Sequence, residues 1–322
     1  MLVRLFRSNQ PGVLLGLLLL MPLLFWRHFQ GPVPASANAM PLHLLLQGFF
    51  GMVSWGYAAI LFLTLCILAA QLTGTMNEAE LTDRRNHLPA LLFPLLLGTL
   101  AVPGSLGPAL MGMPFVLWAM RRTWSITSGG PALAALCDGG LLLGLASLFY
   151  MPYAFLIVVV WASVSVIRPF HWRDYLVPLV GLALVFYIAW GVLHLLGISS
   201  WRPLRTVTAA IPITNSPSSV YNSVLAALLV LLSIISLYRF AGQYGRGVVR
   251  EQNLRSAFLA FAATLGIIIG LVALLNGWFP PVLLAVPLSL LFTFAFLGTR
   301  KVWLSEVAAL ALLGLALWKQ FG

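Results

Sequence analysis

The side chains able to do chemistry in this 322-residue chain are few. Arg202 and Arg205 stand three residues apart, so a helical turn puts both guanidinium groups on one face. Arginine presents a planar fork of donors that suits the oxygens of a phosphate. Trp201, beside them, is a residue type that anchors at the headgroup level of a membrane. Arg27 and His28 form a second cationic pair far away in sequence. His28, His43 and His194 are the candidate general bases near neutral pH. Asp138 lies inside a strongly apolar stretch, where an acid carries an insertion cost of roughly 2.5–3.5 kcal/mol. That cost marks Asp138 as a functional group facing a bundle interior. The structural alternative is hydrogen bonding in a tight hairpin, since Gly139 and Gly140 follow and allow close helix approach. Glu306, also intramembrane, follows Arg300 and Lys301 closely enough for an interfacial ion pair. Cys66 and Cys137 both lie in apolar runs, which speaks against a disulfide scaffold or a cysteine metal site.

The elements that must position these groups follow from composition. The chain is 61% hydrophobic and 8% charged, with a mean hydropathy of +0.99. Soluble domains carry roughly 25% charged residues, so this chain lacks a solvated skin. The expectation is an all-α, polytopic transmembrane bundle forming a single integral membrane domain over residues 1–322. Apolar runs fall at about 11–26, 43–72, 88–101, 105–120, 131–149, 152–167, 176–197, 219–238, 256–276, 282–299 and 302–318. The third and fourth runs joined as one helix would reach ~50 Å, too long for a bilayer core of ~30 Å. Pro103-Gly104-Ser105 therefore turns a hairpin of two short helices. Tyr150-Met151-Pro152 breaks the stretch 131–167 in the same way. The connection Thr73 to His87 has room for a short interfacial helix around Asn77–Arg85. Ala37-Asn-Ala39 resembles a signal-peptide cleavage site, but its distance from the apolar run favours an uncleaved first helix.

Arginine and lysine set the orientation. With the N-terminus inside, 14 cations face inward: Arg4, Arg7, Arg84, Arg85, Arg121, Arg122, Arg168, Arg173, Arg239, Arg246, Arg250, Arg255, Arg300 and Lys301. Only Arg27, Arg202, Arg205 and Lys319 face outward. That bias gives about eleven spans, N-in and C-out, and it accounts for most of the net charge of +11 without nucleic acid. On this topology the outer surface carries no Asp or Glu. Cations without carboxylates favour an anion and disfavour Mg²⁺, Mn²⁺ or Ca²⁺, which need oxygen ligands. A coupled transporter needs several intramembrane acids, and Asp138 is the main candidate.

The stretch from Asp138-Gly-Gly through Tyr150-Met-Pro152, followed by an apolar helix, resembles the short-helix hairpins of the GT-C glycosyltransferase superfamily. That resemblance covers roughly residues 1–200. It implies a scaffold that handles polyprenyl-phosphate-linked sugars at the outer face. GT-C enzymes carry an acidic residue on the first outer loop, whereas Arg27 to Pro41 here contains none. The chain is also similar to an uncharacterised family of bacterial integral membrane proteins through Phe6-Arg-Ser-Asn-Gln-Pro11, the Asp138 segment and Arg168-Pro-Phe-His-Trp-Arg-Asp-Tyr175. These likenesses imply a multi-pass protein of the bacterial inner membrane. The expected role is binding an anionic lipid, polyprenyl-phosphate or glycan-linked, through Arg27, His28, Trp201, Arg202 and Arg205. Catalysis is not expected of it. A lipid-carrier-dependent glycosyltransferase and a transporter using Asp138 are the alternatives. No cofactor or metal is expected. Membrane lipids are the expected partners, with other membrane proteins as further candidates and nucleic acid excluded.

Overall fold

Proline and glycine punctuate a chain that otherwise favours helix throughout. The computed structural model describes all residues except 1, 8–10, 31–39, 51–54, 83, 103–104, 128–129, 198–218, 246, 299–301 and 322. The described elements are all helical. They begin with α1 (Leu2–Phe6), a 3-10 turn at Pro11–Leu14, α2 (Leu15–Gln30), α3 (Pro41–Phe50) and α4 (Gly56–Glu78). Then come α5 (Leu88–Leu100), α6 (Pro108–Trp124), α7 (Leu133–Ser147), a 3-10 turn at Met151–Leu156 and α8 (Ile157–Ile167). The remainder is α9 (Trp172–Leu195), α10 (Ser219–Tyr244), α11 (Val249–Asn276), α12 (Val282–Gly298) and α13 (Val302–Phe321). Among the described residues, α4, α9, α10, α11 and α13 are long and apolar enough to cross a membrane. Shorter apolar helices include α2, α3, α5, α7 and α12.

Both expected helix breaks form, although α5 packs on α4, α12 and α13 rather than back against α6. α5 stops at Leu100, and α6 restarts with Pro108 near its first position, where a missing N–H costs nothing. Tyr150 adopts extended backbone (φ −144°, ψ 105°) between α7 and the Met151–Leu156 turn. Two expectations need correction. The run 43–72 is not one helix but two, α3 and α4. Nor does a separate helix form around 77–85, because α4 itself runs on to Glu78 and two asparagines then close the turn. Asn77 Nδ2 donates to the Asn86 carbonyl at 3.2 Å, and Asn77 Oδ1 accepts from the Asn86 N–H at 3.1 Å. Asn86 Oδ1 in turn accepts from the Leu88 N–H at 3.1 Å and opens α5.

α5 sits at the centre, enclosed by α2, α4, α12 and α13, and its residues from Leu88 to Thr99 are all buried. At 13 residues it rises ~20 Å, well short of a ~30 Å hydrocarbon core. A second layer stacks α6, α7 and α9. Here α7 and α9 approach closely because glycines meet backbone: a Cβ on Gly140 would overlap the Pro178 carbonyl, and one on Gly181 would stand 2.8 Å from the Cys137 carbonyl oxygen. Gly144 likewise leaves room for Val185, 2.7 Å from where its own Cβ would be. Small residues at such crossings replace the hydrophobic driving force that is missing in lipid. The far side of α9 exposes Leu179, Val180, Leu184, Ile188 and Leu195, a helix surface suited to hydrocarbon rather than water.

Candidate functional site

The polar groups separate into two clusters at opposite ends of α5. At the end marked by Asn86, arginines hold helix termini and acids. Arg7 donates to the carbonyls of Phe296 and, at 2.9 Å, Leu297, in the last turn of α12. Burial lowers the Arg7 pKa from its ordinary value. Arg255, 1% exposed, donates to Leu81 O (3.3 Å), to Gln243 O near the end of α10 (2.6 Å) and to Glu251 (3.4 Å). Arg121 pairs with Glu78 through two bonds, the Nε contact at 2.9 Å. Arg168 donates to Gly130 O at 2.8 Å and lies 3.4 Å from buried Asp174. Asp174 opens α9, where a negative charge also favours the helix dipole. Five of the six described carboxylates engage arginine residues here: Glu78, Asp138, Asp174 and Glu251 by ion pairs, Glu306 through the Arg4 N–H at 3.1 Å. Glu80 lies two residues beyond Glu78, in the turn that follows α4.

The other end, where α5 stops, is built from donors. α2 contains Pro22 and is broken three residues further on, at Phe25 (φ −122°, ψ 19°). The break frees backbone N–H groups of the next turn. Buried Gln320, with its amide oxygen turned toward them, accepts from the Trp26 N–H at 2.9 Å and from the Arg27 N–H. Beside it, Lys319 Nζ donates to Thr99 O at 2.9 Å and Leu100 O at 3.0 Å, the last carbonyls of α5. Gly98 permits this approach, because a side chain there would meet Ala316 of α13 at 3.3 Å. Tyr221 of α10 also donates to Thr99 O, at 2.9 Å, and its ring lies 5.6 Å from the ammonium. His28 faces the Val102 backbone and Lys319, yet neither of its enclosed ring nitrogens completes a hydrogen bond. Arg27 is exposed at the rim. No described carboxylate reaches this cluster.

No family model, curated protein or solved structure matches this chain.

The expected site residues divide as follows. Arg27 and His28 come together at the donor-rich end, whereas Trp201, Arg202 and Arg205 lie outside the described residues. His43 is fully buried in α3 with both ring nitrogens unpartnered. Leu42, its neighbour, donates its N–H to Leu148 O at 3.2 Å and so fixes α3 against the end of α7. His194 lies on the exposed side of α9, stacked on Trp190 at 5.7 Å. Among the described residues no hydrogen bond, ion pair or ring contact joins the three histidines to one another. Asp138 is held by Arg122, with contacts of 2.5 and 3.1 Å to one carboxylate oxygen. The paired side chains are 40% and 49% exposed, an open rather than enclosed setting. Arg300 and Lys301, the sequence-expected partners of Glu306, lie outside the described residues. No three described His, Cys, Asp or Glu residues cluster as metal ligands.

Sequence reasoning counted Lys319 among the outward cations but assigned it no site, and it missed Tyr221 and Gln320 entirely. One signal was present: a lysine ending a strongly apolar helix with no acid nearby in sequence. Chemically, the assembled end can donate hydrogen bonds and offer positive charge. Among the described residues its lining has no carboxylate to act as a base or to hold a cation.

Proposed function

We propose that this multi-pass helical protein binds an anionic lipid, of the polyprenyl-phosphate or glycan-linked kind, at its outer face, as an accessory or assembly component of the bacterial inner membrane without catalysis of its own. The observation that carries this reading is the separation of charge along the bundle. Carboxylates sit among arginines at one end, and Arg27, His28 and Lys319 face the other without an acid. The arginine-rich end is taken as cytoplasmic on the positive-inside bias, with eleven spans, N-in and C-out. Arg27 and Lys319 are the cations there, and uncompensated cations at a membrane face attract lipid phosphates. The short helices α5 to α8, broken near Pro103 and Tyr150, are what supports a GT-C-like scaffold for this role.

The test is mass spectrometry of lipids retained by the purified protein. Enrichment of anionic phospholipids or polyprenyl phosphates over zwitterionic lipids is expected. A retained pool matching the bulk membrane would refute the proposal. A lipid-carrier-dependent glycosyltransferase is favoured by one observation, the enclosed and unpartnered rings of His28 and His43. Unchanged glycan products after alanine substitution of His28, His43 and His194 would remove that reading.

A further inference from the structure

We infer that the anionic headgroup is held below the outer membrane surface, in the corner where α2, α5, α10 and α13 meet, with Lys319 as its principal cation and Arg27 and His28 completing the contact. This rests on the anionic-lipid reading above and gives it a place and a depth.

The depth comes from α5. Its first turn is capped by Asn86, two residues beyond Arg84, and Arg84 and Arg85 are exposed and belong in water. The start of α5 is therefore near one membrane surface. Thirteen residues later it has climbed ~20 Å of a ~30 Å core, and tilt only shortens the climb. Thr99 and Leu100, and the ammonium bound to them, lie on the order of 10 Å short of the far headgroups.

The charge at that depth is incompletely balanced. The C-terminal dipole of α5 supplies roughly half a negative charge, so Lys319 leaves about half a positive charge there, and exposed Arg27 adds its own at the rim. A net cation at this depth is costly unless an anion joins it or water reaches it. Lys319 keeps part of its surface open, and both His28 ring nitrogens lack hydrogen bonds. A phosphate oxygen supplies the missing acceptor and the missing charge together. A lipid brings its phosphate to this depth with its chains already beside α10 and α13, whereas a free phosphate ion must leave water to reach it.

The experiment places wild type, K319Q, K319R and R27Q in neutral detergent and titrates dioleoyl phosphatidylglycerol, dioleoyl phosphatidylcholine or inorganic phosphate, reading thermal stabilisation. Phosphatidylglycerol should stabilise the wild type selectively. K319Q should weaken that apparent affinity on the order of tenfold, the worth of a charge-assisted hydrogen bond, with a smaller loss in R27Q and retention in K319R. A lower lipid-free melting point in K319Q with an unchanged phosphatidylglycerol response means that Lys319 only caps α5, and overturns the inference. Inorganic phosphate acting as well as the lipid overturns the lipid source. If wild type does not distinguish phosphatidylglycerol from phosphatidylcholine, the anionic-lipid reading itself fails. Should K319Q not fold, a photocrosslinker in place of exposed Trp318 decides the matter. It should capture phosphatidylglycerol, while one replacing Trp303 at the opposite end of α13 should not. Equal capture at both positions overturns the inference.

Discussion

Replacing Gly140 by alanine should loosen the α7–α9 crossing. The added Cβ would lie 2.7 Å from the Pro178 carbonyl carbon and 2.8 Å from its Cα, with the carbonyl oxygen nearer still. Ordinary carbon contacts need ~3.5–4.0 Å, so the helices must part by about 1 Å. Both colliding partners are backbone, and no rotamer change relieves them. The overpacking cost then falls at the upper end of its range, about 3 kcal/mol. Alanine returns up to ~1 kcal/mol of helix propensity, for a net loss of about 2 kcal/mol. Gly266 in α11 is the matched control, because nothing lies within 4 Å of its Cβ position. Gly266→Ala should be neutral or stabilising, by up to ~1 kcal/mol. Thermal unfolding of both variants in the same detergent gives the comparison. If G140A melts with the wild type, the close approach described here is wrong. If G266A is the one that falls, a protein partner rather than lipid covers that face of α11.

Three further outcomes follow from the same geometry. Asp138→Asn should change stability by no more than about 1 kcal/mol, because its partnership with Arg122 is half exposed; a collapse in urea or heat stability would show a buried role instead. Arg255→Met should cost roughly 3 kcal/mol or more, since it strips donors from Leu81 O and Gln243 O and leaves Glu251 without its cation; yield and monodispersity near wild type would contradict this. In a background with Cys66 and Cys137 replaced by alanine, a membrane-impermeant maleimide applied to intact cells should label R27C and spare R84C. The reverse pattern would move the donor-rich end to the cytoplasm.

Much of the helical order was legible because lipid imposes a simple rule, and Pro and Gly mark where it lapses. The breaks near 103 and 151 were readable from length and proline together, since uninterrupted helices over 88–120 and 131–167 do not fit a bilayer. The split between α3 and α4 was not, because residues 43–72 carry no proline or charge to announce it. The end of α4 was misread because its polar tail looks like a loop, whereas Asn77 pairs with Asn86 across the turn. At the candidate site, Arg27 and His28 were visible as an arginine and an imidazole without acids. The partners Lys319, Gln320, Tyr221 and Thr99 come from helices up to 293 positions away, and hydropathy carries no information about such pairing. Asp138 shows the converse: its penalty in hydrocarbon was readable, but its relief by Arg122 depends on the register between α6 and α7.

The capping of α5 by Lys319 also has a consequence for assembly. The acceptor carbonyl at Thr99 and the ammonium that satisfies it are 220 positions apart. At typical synthesis rates, roughly 10–45 s separate the two during translation. Tyr221 of α10 reaches the Thr99 oxygen first, 122 positions on, and the Leu100 oxygen waits for Lys319, served meanwhile by water or lipid headgroups. A nascent chain stalled before α13 would leave that one oxygen without its ammonium, a local mark of an unfinished bundle.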